Sequence, residues 1–248
     1  MTLGILWTQT SFQKEQFEIF QCNNSALKIN FFYDPLLIIK PYALLKEEDF
    51  NGYQGICVTS QHALASLKEG IPLNLPLYTV GKKTFEMASK MGFKTIFSAE
   101  GSAEDLKNLL LREKNLLKGT LLYVRGKHIQ KDLKKELKKE GLKVQEKIVY
   151  EAFLKKSFNE EVIEGFKDKK ITDVFLFSQR GAEAFMKNFK ALKIEKGEGN
   201  LRVFCLSSKI AQILSHGSLK EKYTGIYAAQ KPTLESLWNL FCEMVKIK

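Results

Sequence analysis

The chain has little that would send it to a membrane or an oxidising compartment. No apolar run approaches the roughly 20 residues needed to span a bilayer, so no membrane partner is expected. The first residues, MTLGILWT, have no basic start and no extended apolar core. They read as a strand rather than a secretory leader, which implies a cytoplasmic protein. Cysteine is scarce, four in 248 residues. Cys22, Cys57, Cys205 and Cys242 show no CxxC spacing, and Cys57 and Cys205 sit inside apolar strand-like runs. Buried thiols in a reducing compartment fit this better than disulfides or a metal. His62, His128 and His216 lie far apart without ligand-like spacing, so no metal is expected.

Acidic residues are in deficit, 28 against 39 Lys and Arg, leaving a formal net charge of +11. Such a surface attracts nucleic acid, acidic membrane or a polyanionic small molecule. A lysine-rich composition without functional meaning is the plainer alternative. The lysines of 127–139 fall mainly on a solvated helix side with no aromatics interleaved, so nucleic acid is not the expected partner. GxGxxG is also missing after the first strand. The GKKT run at 81–84 mimics the end of a phosphate loop, but the earlier glycine should fall at position 76, which is Pro76. No hydrolase triad or glycosidase-like carboxylate pair is recognisable.

What is present is an alternation of strand-like and helix-like segments. Short apolar runs at 3–8, 28–33, 55–60, 76–80, 94–99, 120–126, 143–151, 173–178, 201–207 and 224–229 suit parallel strands covered on both faces. Between them, apolar residues recur at three- and four-residue spacing. Ile129, Leu133 and Leu137 line one helix that Gly141 ends; Ala182, Phe185, Met186 and Phe189 line another. Leu234, Leu237, Trp238, Phe241 and Val245 line the last helix, entered through Pro232 and Thr233.

These strands exceed what one small doubly wound sheet holds. An internal echo divides them: VTSQHALASL (58–67) resembles LFSQRGAEAF (176–185), and YTVGKKTFEMA (78–88) corresponds to FCLSSKIAQIL (204–214). Two α/β lobes with parallel sheets are expected, residues 1–35 plus 153–248 and an inserted lobe at 40–150. A two-stranded linker would cross near 33–42 and 148–156.

In open parallel sheets, ligands bind beyond the carboxyl ends of the strands. Five junctions lie there: Ser60-Gln61-His62, Gly81-Lys82-Lys83-Thr84, Arg125-Gly126-Lys127, Ser178-Gln179-Arg180 and Ser207-Ser208-Lys209. Each is either an ordinary helix cap or, with its free amides and added cation or hydroxyl, a contact for carboxylate or phosphate. Five together favour a large anion.

The ordered set VTSQHAL, YTVGKKTFEMASKMGF, GSAEDL, VRGKHIQKDLKKELKKEGLKVQEKIVYEA, FLFSQRGAEAF and YAAQKPTLESLWNLF resembles the uroporphyrinogen-III synthase family over nearly the whole chain. The resemblance implies two flavodoxin-like lobes joined by a two-stranded linker, and no cofactor; a monomer is expected. It implies that hydroxymethylbilane, a linear tetrapyrrole with eight carboxylates, loses its terminal hydroxyl, inverts its D ring through a spiro intermediate and closes to uroporphyrinogen III. Tyr150, in IVYEA, matches the tyrosine the family is thought to use in assisting hydroxyl departure. A phenol is protonated at neutral pH and can donate to a leaving oxygen; a linker aromatic packed on a lobe is the other reading. Thr84 matches a helix-start hydroxyl facing the cleft, with a simple cap as the other reading, and Ser60 and Ser178 match family positions at equivalent strand ends. Gln9 stands where the family commonly has arginine, and Ser207 and Ile210 stand where it has glycine and threonine. A two-lobed module binding a small anion without chemistry is the alternative function.

Overall fold

A computed structural model describes residues 2–10, 28–42, 45–67, 71–129, 131–194, 201–217 and 220–245. Its strands are β1 (Thr2–Trp7), β2 (Lys28–Tyr33), β3 (Leu37–Pro41), β4 (Tyr53–Val58), β5 (Leu77–Val80), β6 (Ile96–Ala99), β7 (Thr120–Gly126), β8 (Lys143–Leu154), β9 (Asp173–Leu176), β10 (Leu201–Cys205) and β11 (Tyr223–Ala228). Every apolar run of the sequence lies on one of them with ends slightly shifted. The extended, proline-bounded stretch at 33–42 supplies β3.

The chain divides into two compact units, Met1–Ile38 with Phe153–Lys248, and Ile39–Ala152. The first unit holds a sheet in the order β11-β10-β9-β1-β2, its neighbours parallel. Counted within the unit this is 2-1-3-4-5, the flavodoxin order. The second sheet runs β3-β8-β7-β4-β5-β6. Its parallel strands, β4 to β8, stand in the order 3-2-1-4-5, the other common doubly wound arrangement, with β3 added at the edge.

Successive side chains of a strand point to opposite faces, and both faces of each sheet are buried. In the first unit Leu6, Val174, Leu176, Val203 and Cys205 enter one apolar cluster, while Leu3, Ile5, Trp7, Phe175 and Phe204 enter the other. In the second, Ile56, Val58, Leu122 and Val124 alternate with Cys57, Leu121 and Tyr123 in the same way. Burying each large side chain contributes about 1.5–3 kcal/mol, which is why these strands read as continuous apolar runs. Burial pushes the Cys57 and Cys205 thiols up to about 12, leaving them protonated and inert. Cys22 lies outside the described residues.

Eight α-helices cover the sheets among the described residues: α1 (Gln61–Ala65), α2 (Lys82–Lys90), α3 (Ala103–Arg112), α4 (Leu133–Lys139), α5 (Glu160–Lys167), α6 (Gln179–Ala191), α7 (Ser208–Ser215) and α8 (Leu234–Met244). The expected apolar stripes hold for α6 and α8, whose Ala182, Phe185, Phe189, Leu237, Trp238 and Phe241 are buried. The stripe assigned to α4 needs correction. Leu133 and Leu137 are buried, but Ile129 precedes the helix and is 40% exposed. Asp132 caps the helix by accepting from the Lys135 amide at 2.9 Å, so the helix begins there.

Candidate functional site

The second unit gathers its sequence-predicted residues at the carboxyl ends of β4, β5, β7 and β8. After β4, Ser60 has an extended backbone and its Oγ accepts the His62 amide at 3.2 Å, so its hydroxyl is used as a helix cap. Gln61 and His62 follow, half-buried, in the first turn of α1. After β5, Gly81 is the N-cap of α2 with φ of 76°, a left-handed conformation that a side chain would strain. An added Cβ there would meet nothing within 4 Å, so the space above the junction is open. The Gly81 amide is taken by Ala99 O at 2.9 Å. The first-turn amides of α2 have no intrahelical partner, and Lys82 and Lys83 are exposed beside them. Thr84 is buried, facing the core.

The third junction differs from a strand-to-helix turn. Arg125 is 8% exposed; its Nε donates to Glu146 Oε2 at 3.0 Å, and its Nη1 donates to the carbonyls of Gly126 (2.8 Å) and Lys127 (3.3 Å). The guanidinium holds the Glu146 carboxyl below the usual carboxylate range. The Lys127 amide donates to Tyr150 O at 2.9 Å, and α4 begins only after Asp132. Free helix-start amides, expected at this junction from the sequence, are therefore not offered at 125–127. The segment is a loop braced by a buried guanidinium.

Tyr150 reaches this loop because β8 carries an irregularity. Arg125 pairs with Ile148 but Gly126 pairs with Tyr150, leaving Val149 as an extra residue. Val149 and Tyr150 consequently both pack toward the same apolar cluster. The phenol lies directly over Gly126: an added Cβ would stand 2.5 Å from Tyr150 Cζ and 2.8 Å from its Oη. Gly126 thus makes room for the ring. His62 also meets the ring, its centroid 5.8 Å from that of Tyr150 in an edge-on contact. Burial pushes the His62 imidazole below the ordinary histidine range, keeping it neutral at neutral pH. Thr59 and Tyr123 hydroxyls meet nearby at 3.3 Å. These groups surround the β4/β7 boundary, where the strand order reverses and doubly wound sheets bind ligands.

Next to Tyr150, Glu151 is 8% exposed and collects three partners. It accepts from the Tyr42 hydroxyl and from Lys127 Nζ at 3.2 Å, and lies 3.1 Å from His128 Nε2. The Tyr42 hydrogen bond, then those of Lys127 and His128, keep its carboxyl below the usual range. No motif or spacing marks the cluster of Glu151, Tyr42 and His128, in which Tyr42 lies 109 residues from Glu151 and His128 lies 23.

In the first unit, Ser178 repeats Ser60, its Oγ accepting the Gly181 amide at 3.0 Å, with Gln179 and Arg180 half-buried in the opening turn of α6. Ser207 is the N-cap of α7 with no side-chain cap bond, followed by exposed Ser208 and Lys209. Ile210 is 3% exposed and faces the core as Thr84 does in α2. Gln9 follows β1, half-buried. Arg202 and buried Asp173, paired at 2.7 and 2.9 Å, sit at the opposite, amino end of β9 and β10 and brace the fold.

These features define a protein of two doubly wound α/β units, each with capped junctions at the carboxyl edge of a parallel sheet. A family model described as uroporphyrinogen-III synthase HemD matches residues 26–239, and the chain belongs to that family of cyclising lyases of haem biosynthesis. Among solved structures, it resembles uroporphyrinogen-III synthetase from Helicobacter pylori with 21% identity and a TM-score of 0.64, over 98% of this chain and 99% of that one. It also resembles a mutant uroporphyrinogen III synthase from Thermus thermophilus with 14% identity and a TM-score of 0.50, over 99% and 100%. No curated protein sequence matches the chain at a significant level.

Proposed function

We propose that this chain closes hydroxymethylbilane to uroporphyrinogen III, with Tyr150 as the proton donor that lets the terminal hydroxyl leave as water. The observation that carries this reading is the Tyr150 phenol set over Gly126 and beside neutral His62, at the carboxyl edge of the second sheet. A phenol so placed donates to the departing oxygen, leaving a cationic azafulvene-like carbon. The substituted α-carbon of ring D attacks that carbon to give the spiro intermediate, and its bond to the methylene of ring C breaks. That methylene then bonds to the free α-carbon of ring D, and the proton lost there on restoring the pyrrole returns to the phenolate.

Substrate carboxylates are taken in the second unit by the Ser60-Gln61 junction, by Lys82, Lys83 and the first-turn amides that follow Gly81, Thr84 contributing its amide alone, and by Lys127. Ser178-Gln179-Arg180 and Ser207-Ser208-Lys209 take them in the first. Charge-assisted hydrogen bonds contribute about 1.5–3 kcal/mol each, so a few suffice to hold a flexible chain. Arg125 serves through the loop it braces, and Gly126 through the space it leaves. In this proposal residues 1–35 with 153–248 and residues 40–150 are the two lobes. The protein acts as a cytoplasmic monomer on a small molecule, without nucleic acid or cofactor. No helix among the described residues is long and apolar enough to cross a membrane.

The test supplies hydroxymethylbilane in situ and resolves the product isomers. Isomer III in excess supports the reading. Only the spontaneously formed isomer I, with tight anion binding retained, would point to a binding module instead. Tyr150→Phe should lower turnover about 100-fold; unchanged turnover removes Tyr150 from the reaction.

A further inference from the structure

We propose that Glu151 is a positioning residue for the Tyr150 phenol, an inference that rests on Tyr150 being the proton donor. Glu151 follows Tyr150 immediately, just past the irregularity in β8. A carboxylate this well buried is costly unless fully paired, and here the partners come from two separate places in the unit. Tyr42 follows β3, and its amide also donates to Val149 O at 2.8 Å. Lys127 and His128 belong to the loop after β7, the loop that begins with Gly126. The Glu151 carboxylate therefore ties β8 to that loop on one side and to the β3 end on the other.

The consequence for Tyr150 is geometric. Its ring rests on Gly126 with no spare distance, and its carbonyl accepts the Lys127 amide. Any shift of residues 126–128 along β8 moves the surface on which the phenol rests. Reacting groups misplaced by about 1 Å lose on the order of 100-fold in rate. The buried Arg125 guanidinium fixes the loop from behind through the Gly126 and Lys127 carbonyls, while Glu151 fixes it through the Lys127 and His128 side chains. A β8 irregularity without such ties would leave its re-aimed side chain free to slide. Glu151 does not itself touch the reacting oxygen in this scheme.

Four proteins decide the matter: the wild type, Glu151→Gln, Tyr150→Phe and the double variant, assayed with hydroxymethylbilane generated in situ. Glu151→Gln should lower kcat about 10- to 100-fold with KM little changed. Because it acts through Tyr150, the double variant should be no slower than Tyr150→Phe alone. Wild-type turnover by Glu151→Gln, or a double variant slowed by the product of the two single effects, overturns the inference and leaves the role of Tyr150 standing. Wild-type turnover by Tyr150→Phe overturns the Tyr150 reading itself. Should Glu151→Gln fail to fold, Tyr42→Phe and His128→Ala each remove one tie. Each should show a smaller loss in kcat that likewise vanishes in the Tyr150→Phe background; losses that persist there overturn the inference.

Discussion

At Gly126 a single hydrogen decides where an aromatic ring can sit. An alanine methyl there would stand 2.5 Å from Tyr150 Cζ, closer than carbon atoms approach, so the ring must leave. Tyr150 is half-buried and can swing outward, which makes the change cheap for the fold and costly for any chemistry at its hydroxyl. Gly126→Ala should lower isomer III turnover about 10-fold or more, with the denaturation midpoint shifted by no more than about 1 kcal/mol. Full activity would mean that the observed ring position is immaterial. Tyr150 was visible in the sequence through its motif. Gly126 and His62 were visible too, as junction residues, but not as its neighbours, because they meet it only through the β4-β7-β8 strand order. Glu151 was hidden for a related reason: on its own, a glutamate in a strand reads as a solvent-facing residue, and only tertiary pairing shows it buried.

Strand positions were legible because both sheet faces are covered, which forces continuous apolar runs onto the chain. Helix starts were harder to read, since apolar spacing says nothing about where the first hydrogen bond closes. In KHIQKDLKKELKKEG the stripe extends back to Ile129, yet the chain turns helical only at Leu133, where the Asp132 carboxylate meets the Lys135 amide. Asp132→Ala should therefore cost about 1 kcal/mol of stability, measured as a lower midpoint in chemical denaturation. No change would mean that α4 is held by Leu133 and Leu137 alone. The same distinction between cap and core explains the departure at Ile210. That position is the third of its helix and points inward, as Thr84 does, so the first unit satisfies it with a fully apolar side chain. Ser207, whose hydroxyl is not spent on capping, carries the polar character of that junction.

For the whole molecule, the internal echo spoke of two units of one design, and the strand orders qualify it. The first unit runs 2-1-3-4-5 and the second 3-2-1-4-5, because the direction of each crossover is set by packing and leaves no mark in a strand's own residues. Charge, in contrast, is fully legible and acts at long range. A chain of net charge +11 draws a polycarboxylate toward it before any contact forms. Lys82 and Lys83 at the α2 junction and Lys127 beside Tyr150 are exposed, so salt screens them. The Debye length falls from about 10 Å at 0.1 M salt to about 3 Å at 1 M. KM for hydroxymethylbilane should therefore rise several-fold across that range, while kcat, governed by the shielded contact of Tyr150 with Gly126 and His62, stays nearly constant. The steady-state assay at stepped ionic strength measures both. A salt-independent KM would mean that the exposed lysines do not hold substrate. A kcat falling in parallel with binding would mean that the geometry around Tyr150 is itself maintained by screened charges, and the shielded pair of Arg125 with Glu146 argues against that outcome.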